Sequence, residues 1–185
     1  MDELTTEPRV WVGCLACYNG GDLHGEWLDP ESGPDWECGR VDLNGPHEET
    51  WVFDHEGLPI SGECSPAEAA RVAELLADIA ADERPAFHAW LGMQGRDDLD
   101  DDIVAQFQDA YRGTHSSIAE YMYSIYEEEA ASLPEWVQVD WEGMAWTEVS
   151  GGAFTPYAVG LGEQVGNRYD DMAHEFSGGV YIFYP

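Results

Sequence analysis

The chain has 185 residues, and its 38 acidic and 7 basic side chains give a formal net charge of −31 at pH 7. A surface this negative repels nucleic acid and anionic membranes, which excludes direct DNA or RNA binding as a leading hypothesis. No apolar run approaches the ~18 residues that a membrane span needs, and the acidic N-terminus is unlike a signal peptide. We therefore expect a folded cytoplasmic protein, in which eight Trp and nine Tyr supply buriable surface.

The first sixty residues predict a small antiparallel sheet. Residues 10–18 are rich in β-forming side chains and end at Asn19, Gly20 and Gly21, a turn after which residues 23–28 can return as a second strand. Residues 30–49 are crowded with Gly, Pro and Asp, which predicts irregular structure, and residues 50–53 predict a third strand.

Cys14 and Cys17 have a spacing that is typical of metal and redox motifs. In a continuous strand they would point to opposite faces, and Cys38 and Cys64 show no second paired spacing. We interpret the four cysteines as small buried side chains in a reducing compartment, in preference to a zinc or thioredoxin-type site.

The middle of the chain predicts helices. Ser65 and Glu68 form a capping box around Pro66, and the helix should continue to about Ala81. Its apolar side is expected to comprise Ala69, Val72, Leu76, Ile79 and Ala80. A short second helix that carries Phe87, Trp90 and Leu91 is expected from Pro85.

Two further helices are expected after the acidic residues 97–102. Asp100 should cap the first of them, with Asp101 and Asp102 in its first turn, and its apolar stripe should hold Leu99, Ile103, Phe107 and Tyr111. Residues 111–114 should end this helix. A second capping box at Ser117 then begins a helix that buries Ile118, Tyr121, Met122 and Ile125.

The last fifty residues predict a second small sheet, with strands at residues 136–141, 154–161 and 180–184 separated by glycines. The sequence thus predicts an α+β fold, an elongated chain of three small units. These are an N-terminal sheet unit at residues 1–62, an acidic helical unit at 63–110 and a C-terminal α+β unit at 111–185.

The sequence offers no convincing catalytic or metal site. Asp98, Asp100, Asp102 and Asp109 match four EF-hand loop positions, but Ile103 stands where the loop needs glycine and Asp109 stands where it needs glutamate. Pairs of carboxylates suited to glycoside hydrolysis arise by chance among 38 acids. The six histidines lack metal-type spacing, and no nucleotide-binding or nucleophile motif occurs. We therefore expect neither an enzyme nor a cofactor.

The charge itself is the remaining clue. A carboxylate at every third or fourth helical residue places one negative charge per ~5 Å of axis, comparable with ~3.4 Å per charge along one DNA strand. The net charge equals that of ~53 Å of duplex at ~1.7 Å per charge. This pattern is typical of a decoy for DNA.

Several segments also resemble the ArdA antirestriction proteins. Residues 15–27 (LACYNGGDLHGEW) resemble the opening motif of that family, and residues 51–57 (WVFDHEG) resemble its acidic strand end. Residues 107–113 (FQDAYRG) with 118–121 (IAEY) resemble its central motif. Residues 139–144 (VDWEGM) and 180–183 (VYIF) resemble the C-terminal part of that family's sequences.

The resemblance implies an elongated, dimeric mimic of bent B-form DNA, encoded on a mobile element. Such a mimic would occupy the DNA groove in the methyltransferase core of type I restriction-modification enzymes and block restriction. The acids to which it assigns this role are Asp54, Glu56, Glu74, Asp78, Asp82, Asp97, Asp98, Asp101, Asp102, Asp109, Glu120, Glu127, Glu128 and Glu129. The homodimer is expected to form through the C-terminal sheet, at Trp136, Trp141, Trp146, Phe154 and Tyr157.

Two other classes of function stay open from the sequence. An acidic inhibitor or chaperone of another basic DNA-binding protein would have the same charge. So would a domain adapted to high salt, which would carry an ordinary functional site elsewhere or fold in a salt-dependent way.

Overall fold

The structure, a computed structural model, describes residues 7–33, 49–95, 99–159, 161–166 and 168–185. The predicted α+β class is confirmed, with an antiparallel N-terminal sheet, central helices and a small C-terminal sheet with a helix. The chain divides into two compact units, residues 1–104 and 105–185. The finer division into three units stays a prediction.

The first unit opens with the predicted sheet. Its strands are β1 (Arg9–Cys14), β2 (Gly25–Leu28) and β3 (Thr50–Glu56), in the antiparallel order β2-β1-β3. Successive side chains of β1 and β3 point to alternate faces of the sheet, and Val10, Val12 and Val52 are buried on one of them. Between β2 and the undescribed residues 34–48 lies one turn of 3-10 helix, Pro30–Ser32.

The predicted strand over residues 10–18 is wrong beyond Cys14, because a short helix α1 (Leu15–Asn19) begins there. The Cys14 sulfur accepts a hydrogen bond from the Cys17 backbone N–H at 3.3 Å, so Cys14 caps the helix and both thiols are buried instead of facing opposite ways. Cys64 is buried as well, and burial together with the charge of Glu68 raises its pKa to about 11. The interpretation of these three cysteines as buried side chains is confirmed; Cys38 lies outside the described residues.

Two helices complete the described core of the first unit, α2 (Pro66–Ala77) and α3 (Arg84–Gln94). Ser65 caps α2 as predicted, with its hydroxyl accepting the Glu68 N–H at 3.2 Å. The helix ends at Ala77 and not near Ala81, which leaves Ala80 exposed rather than on the apolar side. The other predicted apolar positions of both helices are buried: Ala69, Val72, Leu76, Ile79, Phe87, Trp90 and Leu91.

The helix α4 (Ile103–Ala110) contains the boundary between the two units, and β4 (Tyr111–His115) follows it directly. The predicted stripe is buried at Leu99, Ile103 and Phe107. Tyr111 belongs to the strand instead of the helix, and its ring stacks on Phe107 with centroids 5.1 Å apart.

The second unit encloses a four-stranded antiparallel sheet in the order β4-β7-β5-β6. Its other strands are β5 (Thr155–Ala158), β6 (Glu163–Gln164) and β7 (Val180–Phe183), and a 3-10 turn, Tyr169–Asp171, precedes β7. Its helices are α5 (Ile118–Ile125), α6 (Glu127–Ala131) and α7 (Trp141–Gly151). The core between them contains Ile118, Tyr121, Met122, Ala145, Phe154, Met172, Val180 and Ile182.

Two predictions in this unit are wrong. Residues 136–141 form no strand, because the Asp140 carboxylate accepts the Gly143 N–H at 2.9 Å and begins α7 at Trp141. Ile125 is exposed, since α5 ends at that residue. The cap at Ser117, whose hydroxyl accepts the Glu120 N–H at 3.1 Å, and the closing strand are confirmed.

None of the helices in the described ranges has the length and apolarity that crossing a bilayer would require.

Two glycines of the N-terminal sheet allow aromatic rings to lie against its backbone. The Trp11 and Phe53 rings meet edge to face with centroids 5.9 Å apart. A Cβ atom at Gly13 would lie 2.7 Å from both rings, and one at Gly25 would overlap the Val12 carbonyl oxygen and the Trp11 ring. Close approach, rather than backbone conformation, therefore requires glycine at these positions.

We predict that Gly25→Ala lowers the free energy of unfolding by about 1–3 kcal/mol, the usual range for an overpacked site. Gly92→Ala is the matched control, because Gly92 lies within α3 and has no atom within 4 Å of an added Cβ. There alanine should stabilise the helix by up to about 1 kcal/mol. Urea unfolding followed by tryptophan fluorescence measures both changes, and equal effects at the two sites would contradict the packing argument.

A second prediction concerns His88 of α3. Burial lowers the pKa of His88 below its usual 6.5, the neighbouring His55 adds to this change, and a hydrogen bond with the Gly57 backbone partly offsets it. Just below pH 6.5 the unfolded chain therefore binds more protons than the folded chain. The contribution of neutral, buried His88 to the free energy of unfolding is complete above pH 6.5 and is lost as the pH falls. We expect the difference in unfolding free energy between the wild type and His88→Gln to shrink from pH 7.5 to pH 5.5; a constant difference would contradict this.

Candidate acidic interface

The candidate acids occupy the outside of both units. Every described member of the set is exposed except Glu56, which is half-buried. Asp97 and Asp98 lie outside the described residues. The exposed members are Asp54, Glu74, Asp78, Asp82, Asp101, Asp102, Asp109, Glu120, Glu127, Glu128 and Glu129.

Two candidate acids each contact a partner side chain in the same unit. The Arg9 guanidinium of β1 forms an ion pair with Glu56 across the β1–β3 register, and it also lies 5.2 Å from the ring centroid of Trp27. Glu120 lies 3.0 Å from Nδ1 of His115, whose Nε2 lies 3.0 Å from the Arg112 carbonyl oxygen.

Several acids stand at helix N-termini, where the helix dipole favours negative charge. Glu120 is in the first turn of α5, and Glu127, Glu128 and Glu129 form the first turn of α6. Asp101 and Asp102 were expected in the first turn of α4, but they lie in the turn before it, and Asp100 is exposed with its backbone carbonyl accepting the Ile103 N–H. Local stability alone explains an acid at these places.

Asp78 and Asp109 occupy the opposite ends of their helices. Asp78 is the C-cap of α2 and Asp109 is in the last turn of α4, and neither helix has a basic residue in its last turn. A carboxylate at a helix C-terminus is disfavoured by the dipole. In addition, Glu74 precedes Asp78 by four residues, so two like charges share one face of α2. Stability does not explain these acids, which distinguishes them from the N-terminal group.

No three His, Cys, Asp or Glu side chains in the described part of the chain are arranged to hold a metal ion. The EF-hand alternative includes Asp98, which lies outside that part.

The aromatic residues expected at a dimer interface are placed unevenly. Trp136 is 83% exposed, and Trp146 is also exposed, whereas Trp141 and Tyr157 are half-buried. Phe154 is only 3% exposed, and its ring meets that of Tyr121 edge to face in the core of the second unit. Phe154 is therefore a core residue, because the chain enters β5 with this side chain turned inward.

The sequence interpretation missed a cleft in the second unit. It has a volume of about 370 Å³ and is lined by Glu120, Tyr123, Asp140, Trp141 and Glu142, among others. The assignment of residues 136–141 to a strand concealed it, because α7 then lacked its first turn. Aspartate is a preferred N-cap residue, and its position directly before the helical run from Trp141 was the signal that could have placed Asp140 as a cap.

Comparison with known proteins adds an independent finding. A family model described as "Antirestriction protein (ArdA)" matches residues 10–160. Among curated proteins, none matches the chain.

We predict opposite effects of the helix dipole at the two ends of α2. Asp78→Asn and Glu68→Gln each remove one negative charge, but Asp78 is at the C-terminal end and Glu68 in the first turn. Relative to Glu68→Gln, Asp78→Asn should raise the unfolding free energy by about 0.5–1 kcal/mol at low salt. Urea unfolding at 10 mM and 500 mM salt measures the difference in unfolding free energy between the two variants, which should diminish at high salt. Equal stabilities at low salt would contradict the conclusion that the helix dipole disfavours Asp78.

Proposed function

The chain belongs to the ArdA antirestriction family, and from this premise we propose that it inhibits restriction by imitating DNA. In this proposal its acidic surface occupies the DNA-binding groove of a type I restriction-modification enzyme and blocks restriction of incoming mobile DNA. The protein acts by binding, not by catalysis.

The family match over residues 10–160 carries the proposal. The net charge of −31 and the exposure of the candidate acids support the mechanism, because a groove that binds duplex DNA presents basic side chains to phosphates. Asp78 and Asp109 give further support. Their positions cost local stability, and acids retained at such a cost are expected where a partner requires negative charge.

We also propose a homodimer through the second unit, using the exposed rings of Trp136 and Trp146 with Tyr157, while Trp141 lines the cleft described above. Exposed tryptophans are typical of interfaces. Phe154 has no part in the contact. Sedimentation at micromolar concentration should show a dimer that Trp136→Ser weakens, and a wild-type monomer would contradict this proposal.

The main test measures how inhibition depends on the number and location of the acids. Exposed charges more than ~8 Å apart at physiological salt act almost independently, so Asp109→Asn alone should hardly change inhibition of DNA cleavage. A variant in which six of the acids are replaced by their amides should inhibit much more weakly. Its inhibition should also depend less on salt, because fewer of its charges then replace salt ions at the enzyme's DNA-binding site. The replaced residues are Asp101, Asp102, Asp109, Glu120, Glu127 and Glu128.

A second variant with the same loss of charge separates a specific surface from net charge. It replaces exposed acids outside the candidate set: Glu26, Glu31, Glu63, Glu135, Glu163 and Asp170. This control should keep more inhibition than the first variant, with circular dichroism confirming that both remain folded. Full potency in the first variant, or complete loss in Asp109→Asn, would contradict distributed mimicry. Inhibition of an unrelated basic DNA-binding protein with equal potency would favour the more general acidic inhibitor.

A further inference from the structure

The cleft at the start of α7 combines aromatic walls with carboxylates. Tyr123 of α5 and Trp141 of α7 meet edge to face, with ring centroids 5.5 Å apart and planes at 90°. Glu120, Asp140 and Glu142 supply the acidic part of the lining. Its volume of about 370 Å³ falls in the range of ligand-binding clefts, ~300–1,000 Å³.

The acidic lining is fixed in place by the fold. The Asp140 carboxylate accepts hydrogen bonds from the Gly143 N–H at 2.9 Å and from the Tyr169 hydroxyl at 3.0 Å. A Cβ atom at Gly143 would overlap this carboxylate, so a larger residue there would displace the Asp140 side chain from its present position. Glu120 is oriented by His115, as described above. Asp140 and Glu120 are therefore held in place by the fold before any partner arrives.

The lining also favours a positive occupant. The hydrogen bond with Asp140, together with the charges of Asp140 and Glu142, raises the pKa of Tyr169 beside the cleft. No arginine is paired with Asp140 or Glu142 among the residues that the structure describes. The half-exposed rings of Tyr123 and Trp141 add the aromatic surface on which a cation stacks.

We propose that this cleft is an anchor site for one arginine side chain of the protein partner. The inference rests on the proposed function, under which the partner presents a basic DNA-binding groove. A guanidinium group is planar, stacks on an aromatic ring and donates several hydrogen bonds in its plane to carboxylates, and the cleft supplies both kinds of contact. A lysine ammonium group is compact and strongly hydrated, so it uses the aromatic wall less well.

The anchor site and the acidic surface would act at different stages of binding. Long-range charge raises the rate of encounter and is weakened by salt, whereas a partly desolvated contact mainly slows dissociation. The anchor site should therefore fix the register of the partner on a surface whose charges alone position it only loosely.

The direct test uses Nα-acetyl-arginine methylamide as the probe and the full chain as the target. The indole N–H resonance of Trp141, assigned with Trp141→Phe, should shift saturably with this probe. The citrulline analogue, which has the same shape without the charge, should cause no saturable shift. Equal shifts with both probes, or none with arginine, would overturn the inference.

Matched variants locate the binding. Tyr123→Leu and Glu142→Gln should each lower the affinity of the chain for the arginine probe by about tenfold. Tyr126→Leu is the control for the first variant, since Tyr126 is 37% exposed against 44% for Tyr123 and does not line the cleft. Glu135→Gln is the control for the second. Both controls should bind the probe as the wild type does, and thermal unfolding of all four variants checks the fold.

Inhibition assays separate this inference from the function on which it rests. Tyr123→Leu keeps the net charge at −31, so a mechanism of distributed charge alone predicts no change in inhibition. The anchor site predicts that Tyr123→Leu inhibits about tenfold more weakly than the control Tyr126→Leu. If the wild type inhibits a type I enzyme and Tyr123→Leu inhibits equally well, the anchor site is wrong and the proposed function stands. If the wild type fails to inhibit, the proposed function is wrong, and saturable arginine binding would still support the cleft as a site for another basic partner. Conversion of a dimer to a monomer by Tyr123→Leu would assign the cleft to a second copy of the chain and overturn the inference.

Discussion

Repulsion among carboxylates is the constraint on which the rest of this structure depends. With a net charge of −31, compact packing increases the electrostatic free energy, and the seven arginines can offset only a minority of the 38 acids. Each unit must therefore gain its stability from apolar burial on a small scale. Aromatic side chains supply much apolar surface per residue. Phe87, Trp90 and Phe107 are buried, and the rings of Phe154 and Tyr121 pack against each other in the second unit.

The acids divide into two groups by their relation to the helices. Glu68, Glu120 and residues 127–129 lie in first turns, where negative charge stabilises the helix and an acid needs no functional explanation. Asp78 and Asp109 lie at C-terminal ends, where the same charge is disfavoured. An acidic surface that served only solubility could avoid these positions, so they are the more informative part of the proposed interface.

The cleft beside Trp141 differs physically from this charged surface. Exposed carboxylates act at a distance, through a field that salt screens, and no single one of them is expected to dominate. A cleft with an aromatic pair and oriented carboxylates acts only on contact and distinguishes one cation from another by shape. Under the proposed function the protein would benefit from both, because the field would attract a basic groove and the contact would slow its dissociation.

The sequence by itself determined the features that depend on neighbours along the chain. The caps at Ser65 and Ser117 are set by a hydroxyl reaching a backbone N–H three residues on, and the buried stripes of α2 and α3 follow from the 3.6-residue period. The motif of residues 15–27 likewise indicated the family that the match over residues 10–160 shows.

Tertiary structure decided what depends on partners distant in the chain. The prediction of strands at 10–18 and 136–141 was wrong for a local reason instead, because Cys14 and Asp140 each cap a helix through a backbone N–H three residues on. Phe154 was indistinguishable in sequence from an interface aromatic, because the choice between core and surface is made by the packing of Tyr121 against it. The cleft forms where α5 packs beside α7, and Tyr169 reaches Asp140 from 29 residues away, a meeting of separated segments that no local pattern encodes.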